Sequence, residues 1–174
     1  GADLSGKDLT GTILKGADLT DANLDGVDLK GRDLTGTILN GADLSGKDLT
    51  GTILKGADLT DAKLPIISLS EKNFQKTIFD ELDLSGKNLS KSSLWYASFK
   101  NTNLKNTNLS QADLMKTDLT KIKNKSLAGA NLENTSFMLS DLSGVNLSDT
   151  ILAGTSFLRT NLSDVDFTVT SNIP

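Results

Sequence analysis

The 174-residue chain contains no cysteine and no histidine. The first absence removes disulfides and thiolate chemistry. The second removes the commonest general base and the commonest metal ligand. Aromatic residues are scarce, with one Trp, one Tyr and six Phe. No apolar run approaches the roughly 18 residues of a membrane span, and no signal-peptide pattern opens the sequence. The cytoplasm is therefore the default compartment, with a removed targeting segment as the alternative. Charge of neither sign dominates: 18 Lys and Arg face 22 Asp and Glu, a formal net charge of −4. The length suits one domain with a real core. Disorder is excluded by the regular placement of the apolar residues.

That regularity is a repeat of five. Leu or Phe occupies every fifth position from Leu4 to Leu119, 24 in succession, and again from Leu127 to Phe167, nine more. These 33 centres take all six Phe of the chain. The spacing fits neither standard element. On a helix, successive centres would wander around the axis instead of forming a stripe. On a strand they would alternate between opposite faces. All point inward only if the chain turns a corner in each pentapeptide.

The remaining slots agree with corners. All 15 glycines fall two residues after a centre, or in the equivalent slot for Gly1. In a turn that begins at the centre, this third position needs positive φ in type II geometry. Asp21 and Asp61 share the slot, and Asp tolerates that conformation. Two residues before the centre, 25 of 33 positions are Ala, Thr, Ser or Val; one residue before it, 21 of 33 are Asp or Asn. Each unit thus offers one large and one small inward side chain, and a narrow tube is the architecture they fill.

The units Ala2-Asp3-Leu4-Ser5-Gly6, Ala17-Asp18-Leu19-Thr20-Asp21 and Ala130-Asn131-Leu132-Glu133-Asn134 resemble the A(D/N)LXX motif of the pentapeptide-repeat family, in its cyanobacterial style. The resemblance covers residues 1–169. It implies an all-β fold, a right-handed quadrilateral parallel β-helix with four pentapeptides per coil. At a strand spacing of roughly 4.8 Å, about eight coils make a rod on the order of 40 Å long. The expected organisation is a first register over 1–120, a loop insertion at a corner over 121–126, the continued helix in shifted register over 127–169, and a tail over 170–174.

Within the rod, residues 1–22 recur identically as 41–62, a duplication of two coils that reads as scaffold lengthening. Charge is banded: net −4 over 1–64, +4 over 65–126 and −4 over 127–174. Lys7, Arg32, Lys47, Lys72 and Lys87 stand in the normally small inward slot. Because a buried unpaired cation is costly, their heads are expected to thread outward at a corner, beside the acid or amide that follows most of them.

Chemistry has little to work with. The glycines are spread over turns instead of clustering before a helix, so phosphate-loop motifs fail on context. An enzyme needs different reactive groups converging on a pocket, and a leucine-filled rod lacks one. Rows of outward Asp do not wrap an ion as calcium requires. No catalytic residue, metal or cofactor is expected. The candidates for partner binding are the aromatic pair Trp95 and Tyr96, at outward turn slots, and the acidic column Asp8, Asp28 and Asp48. Outward isoleucines at 13, 38, 53, 78 and 151 either cover strand edges or form a seam for assembly. The leading expectation is a non-catalytic structural or interaction rod with an unidentified protein partner, no direct contact with nucleic acid or membrane, and a monomeric or end-to-end dimeric state. The alternative, implied by the family resemblance, is a mimic of DNA that binds a type II topoisomerase such as gyrase. An ice-binding face is a third class, and Lys30 interrupts its hydroxyl column of Thr10, Thr50, Ser70, Ser90 and Ser110.

Overall fold

The computed structural model describes residues 1–65 and 69–168; the expected tail, 170–174, lies outside the described residues. Before the break in register, parallel bridges join residues that precede a centre to those 20 positions on, as in Asp3 to Asn23, Ile38 to Asp58 and Asn88 to Asn108. A coil is therefore four pentapeptides, and the rod is a four-sided parallel β-helix. We number its corners from their first centres: Leu4, Leu9, Leu14 and Leu19 begin the first to fourth corner.

Each corner is a turn that starts at a centre. The N–H three residues on donates to the centre's carbonyl, as Lys7 to Leu4, Ala42 to Leu39 and Thr77 to Phe74, each at 3.0 Å. The third turn residue has φ between +51° and +77° at every described turn except the one after Leu119. The glycine slot is thus the left-handed slot, and Glu71, Lys76 and Tyr96 occupy it under the same constraint.

Coils are tied in both directions. A centre N–H donates to the coil above, as Leu34 to the Ile53 carbonyl at 2.9 Å, and the residue before a centre donates below, as Ile38 to Ala17 at 2.9 Å. The small inward slot adds a third tie. Thr37, Thr77 and Thr102 donate their hydroxyls to the carbonyls of Leu14, Leu54 and Phe79, the centres of the coil below, at 2.9, 2.7 and 2.8 Å. A buried hydroxyl is tolerated there because it takes the second lone pair of a carbonyl already engaged in a turn. The centres themselves fill the tube: Leu34, Leu84, Leu104 and Leu132 have no exposure. Phe79 stacks on Phe99 at 5.3 Å, one coil apart, and Phe137 on Phe157 at 5.7 Å. At the ends Leu4, Leu9, Leu162 and Phe167 are only partly covered.

Across the break in register the bridges lengthen to 23 residues, from Asn108 to Asn131, Asp113 to Ser136 and Asp118 to Asp141. The extra residues form one 3-10 turn, Lys123–Lys125, with Asn124 and Lys125 at φ +54° and +46°. They do not sit in the corner itself. Ile122 closes the turn from Leu119 and is buried in the inward slot, so the bulge emerges on the flat side before Ser126.

Four of the five inward cations, Arg32, Lys47, Lys72 and Lys87, donate to backbone carbonyls and not to the acid or amide beside them, and Lys7 is exposed. Lys72 Nζ donates to the Leu49 carbonyl at 2.6 Å, and Arg32 donates to the carbonyls of Leu9 and Thr12. Lys72 and Arg32 thereby use the acceptor that threonine uses elsewhere, the centre of the coil below. Burial lowers the pKa of Lys72.

Candidate functional site

Asp8, Asp28 and Asp48 line up on successive coils before the second corner, all exposed. Each is bonded to its own chain: Oδ1 accepts the N–H two residues on, from Thr10 at 2.8 Å, Lys30 at 2.9 Å and Thr50 at 2.8 Å. These are Asx turns, in which the carboxylate stands in for a backbone carbonyl and fixes the approach to the corner. The Thr10 hydroxyl and N–H lower the pKa of Asp8. Asp48 is lowered to about 2, first by the Thr50 hydroxyl and N–H and then by Lys30, whose Nζ lies 3.4 Å away. Lys7, Lys30 and Arg32 share an open surface hollow of about 430 Å³ with Asp8 and Asp28. The column is thus acidic in sequence and mixed in charge in space.

The same Asx bond recurs along the rod, at Asp43 to Ser45, Asn88 to Ser90 and Asn131 to Glu133 among others. It accounts for the Asp or Asn before most centres. The sequence signal was the restriction of that slot to the two residue types able to make the bond.

Trp95 and Tyr96 occupy the third corner, 36% and 49% exposed. Both are held by the coil above. Trp95 Nε1 donates to the Asp113 carboxylate. Lys116 Nζ donates to the Tyr96 hydroxyl at 2.8 Å and lies 5.2 Å from the ring centroid. The aromatic pair is therefore separated from the acidic column by a corner and by coils. The structure does not bring the two candidate sets together. Outward isoleucines are exposed to very different extents, Ile13 at 87% and Ile38 at 39%.

Among the described residues no group of three or more acidic, histidine or cysteine side chains is placed to hold a metal ion, and no helix is long and apolar enough to cross a membrane.

The family model for pentapeptide repeats matches eight copies, over residues 1–31, 33–64, 83–120, 126–152 and 140–168. Among solved structures the chain is similar to HetL, a pentapeptide repeat protein involved in heterocyst differentiation regulation from the cyanobacterium Nostoc sp. strain PCC 7120. The identity is 24%, with 90% of each chain covered and a TM-score of 0.53. It is also similar to QnrB1, a plasmid-mediated fluoroquinolone resistance protein, at 19% identity, 95% and 89% coverage and a TM-score of 0.42. Rfr23 from the cyanobacterium Cyanothece 51142 matches at 24% identity, 79% and 89% coverage and a TM-score of 0.36. No curated protein sequence matches the chain. With its pentapeptides, its 20-residue coils and the family's right-handed quadrilateral β-helix, the chain belongs to the pentapeptide-repeat family.

Proposed function

We propose that this chain is a non-catalytic rod that presents fixed outward side chains to a protein partner. The observation that carries the reading is the engagement of its carboxylates. The Asp residues that precede the centres, most of the Asp in the chain, are bonded to their own backbone and spaced by the coil, so they fix corners instead of converging on a pocket. The interior is filled by leucine and leaves no room for a substrate. Rigidity and regular faces are what such a molecule offers.

The test is retention of a partner from source lysate on the immobilised rod, compared with Trp95→Ala/Tyr96→Ala and Asp8→Asn/Asp28→Asn/Asp48→Asn variants. The expected result is a protein held by the wild type and the acidic triple and released by the aromatic double. Retention of nothing by any form would overturn the reading. DNA imitation requires a continuous negative potential, and both the net +4 of residues 65–126 and the Lys30–Asp48 pair weigh against it. Inhibition of gyrase supercoiling at micromolar protein, lost in the acidic triple, would reinstate it.

A further inference from the structure

Arranged by corner, the turn residues of the rod are not alike. The first corner carries Asp25 and Asp149, the second Glu71 and Glu133, and the fourth Asp21, Asp61, Asp80, Glu81 and Asp164. The third corner carries no acid over eight coils. Its cations are Lys15, Lys55, Lys76, Lys116 and Arg159, all exposed. Apolar exposure is concentrated at the same edge. Of the eight exposed large apolar residues among the described ones, seven lie on this corner or in the outward columns beside it, Ile151 being the exception.

The pattern is ordered along the edge. One column runs Trp95, Met115, Met138, Leu158 on successive coils, with Met115 buried as a floor and Leu158 60% exposed. The adjoining column places Lys76, Lys116 and Arg159 on alternate coils, with Tyr96 and Leu139 between them. We propose that this ridge docks an acidic amphipathic helix of the partner, lying along the rod axis. The proposal rests on the protein-partner reading above and names the partner's chemistry.

The spacings favour a helix. Apolar rows repeat at about 4.8 Å along the rod, and the apolar positions of a heptad helix rise about 5.25 Å on average. Cations on alternate coils lie about 9.6 Å apart, against about 10.5 Å for acids seven residues apart. The mismatch over the four apolar rows is about 1.4 Å, within the adaptability of two methionines. Width excludes broader partners. Asp18, Asp58, Asp118 and Asp141 flank the ridge on one side and Asp33 and Asp113 on the other. An anionic bilayer or a DNA duplex would press against these carboxylates, whereas a helix about 10 Å across meets the ridge alone.

Trp95 is the chain's sole tryptophan, so its emission reports the ridge directly. The probe is a helix-stabilised peptide of about 18 residues, with Leu at the heptad seam and Glu beside it. Controls are the isomer with Lys for Glu, phosphatidylserine vesicles and duplex DNA. A saturable change in Trp95 emission is expected with the Glu peptide, weakened about tenfold in Lys116→Glu/Arg159→Glu and with the Lys isomer. The variant keeps its fold, because Glu71 and Glu81 already occupy this turn slot at φ +60° and +65°. No saturable change, equal binding of the Lys isomer, or an equal response to vesicles or DNA overturns the assignment. A lysate partner retained despite such a failure would leave the interaction rod standing and remove only the helix.

Discussion

At the scale of the residue, polar side chains here act mainly as backbone substitutes. The carboxylate before a centre accepts the N–H two residues on, and asparagine does the same at Asn23 and Asn73. Asp8→Asn, Asp28→Asn and Asp48→Asn therefore keep their turns while losing charge, and the triple is expected to melt within a few degrees of the wild type. Alanine at the same positions removes the acceptor, and a clearly larger fall in melting temperature is expected. Acid sensitivity follows from the same bonds. Asp43 is held to about 2, chiefly by the Ser45 hydroxyl and then by Lys63, and Asp48 to about 2. Both lie below the unfolded value of about 3.9, so their contribution is complete above about pH 4 and is lost as pH falls through the folded value. The urea midpoint of the wild type is expected to drop between pH 5 and pH 2, and that of Asp43→Asn/Asp48→Asn to drop less. An identical acid limb for both would show that these bonds carry no charge-dependent stability. The inward hydroxyls make a parallel case. Thr77→Val deprives the Leu54 carbonyl of one partner while its turn bond from Ala57 remains, at an expected cost of about 1 kcal/mol.

At the scale of the pentapeptide, the left-handed turn residue sets what each coil tolerates. Gly36 and Gly41 have φ of +65° and +68°, so alanine is strained at both by about 1 kcal/mol. Their surroundings differ. A Cβ at Gly36 meets nothing within 4 Å, whereas at Gly41 it would overlap the Asp21 carboxylate of the coil below. Gly41→Ala is expected to destabilise more than Gly36→Ala in urea titration, and the difference to vanish when Asp21→Gly is added. Much of this element was legible in sequence. The period of five, the glycine slot and the small inward slot each follow from local sterics that act within one pentapeptide. What was not legible depends on the neighbouring coil. The heads of Arg32 and Lys72 find carbonyls 23 residues back, so the acid following Arg32 in sequence was the wrong partner to expect. A register slip alone does not say which residue keeps the inward slot, so sequence does not distinguish a bulge at the corner from one on the flat side; the burial of Ile122 decides it. The acidic column and the aromatic pair were visible as residues, but Lys30 beside Asp48 and Lys116 over Tyr96 appear only when coils are stacked.

At the scale of the whole molecule, coils touch only their neighbours, so stability should add up along the axis instead of residing in one nucleus. The two kinds of leucine in the rod separate this from a single cooperative core. Leu104 is fully buried between neighbouring coils, and Leu4 at the end is only partly covered. Leu104→Ala is expected to cost about 2–5 kcal/mol through lost contacts and a residual cavity. Leu4→Ala costs less, because Leu4 is only partly buried to begin with. Trp95 gives a reporter one coil from Leu104 and far from Leu4. Under urea, Leu104→Ala is expected to lower the midpoint seen by Trp95 emission, while Leu4→Ala lowers the onset seen by backbone dichroism and leaves the Trp95 midpoint in place. Equal shifts of the Trp95 midpoint would mean that the rod unfolds as one unit. Independence of the middle from the first coils is also what a docking ridge at the third corner requires, because its geometry then survives local loosening elsewhere on the rod.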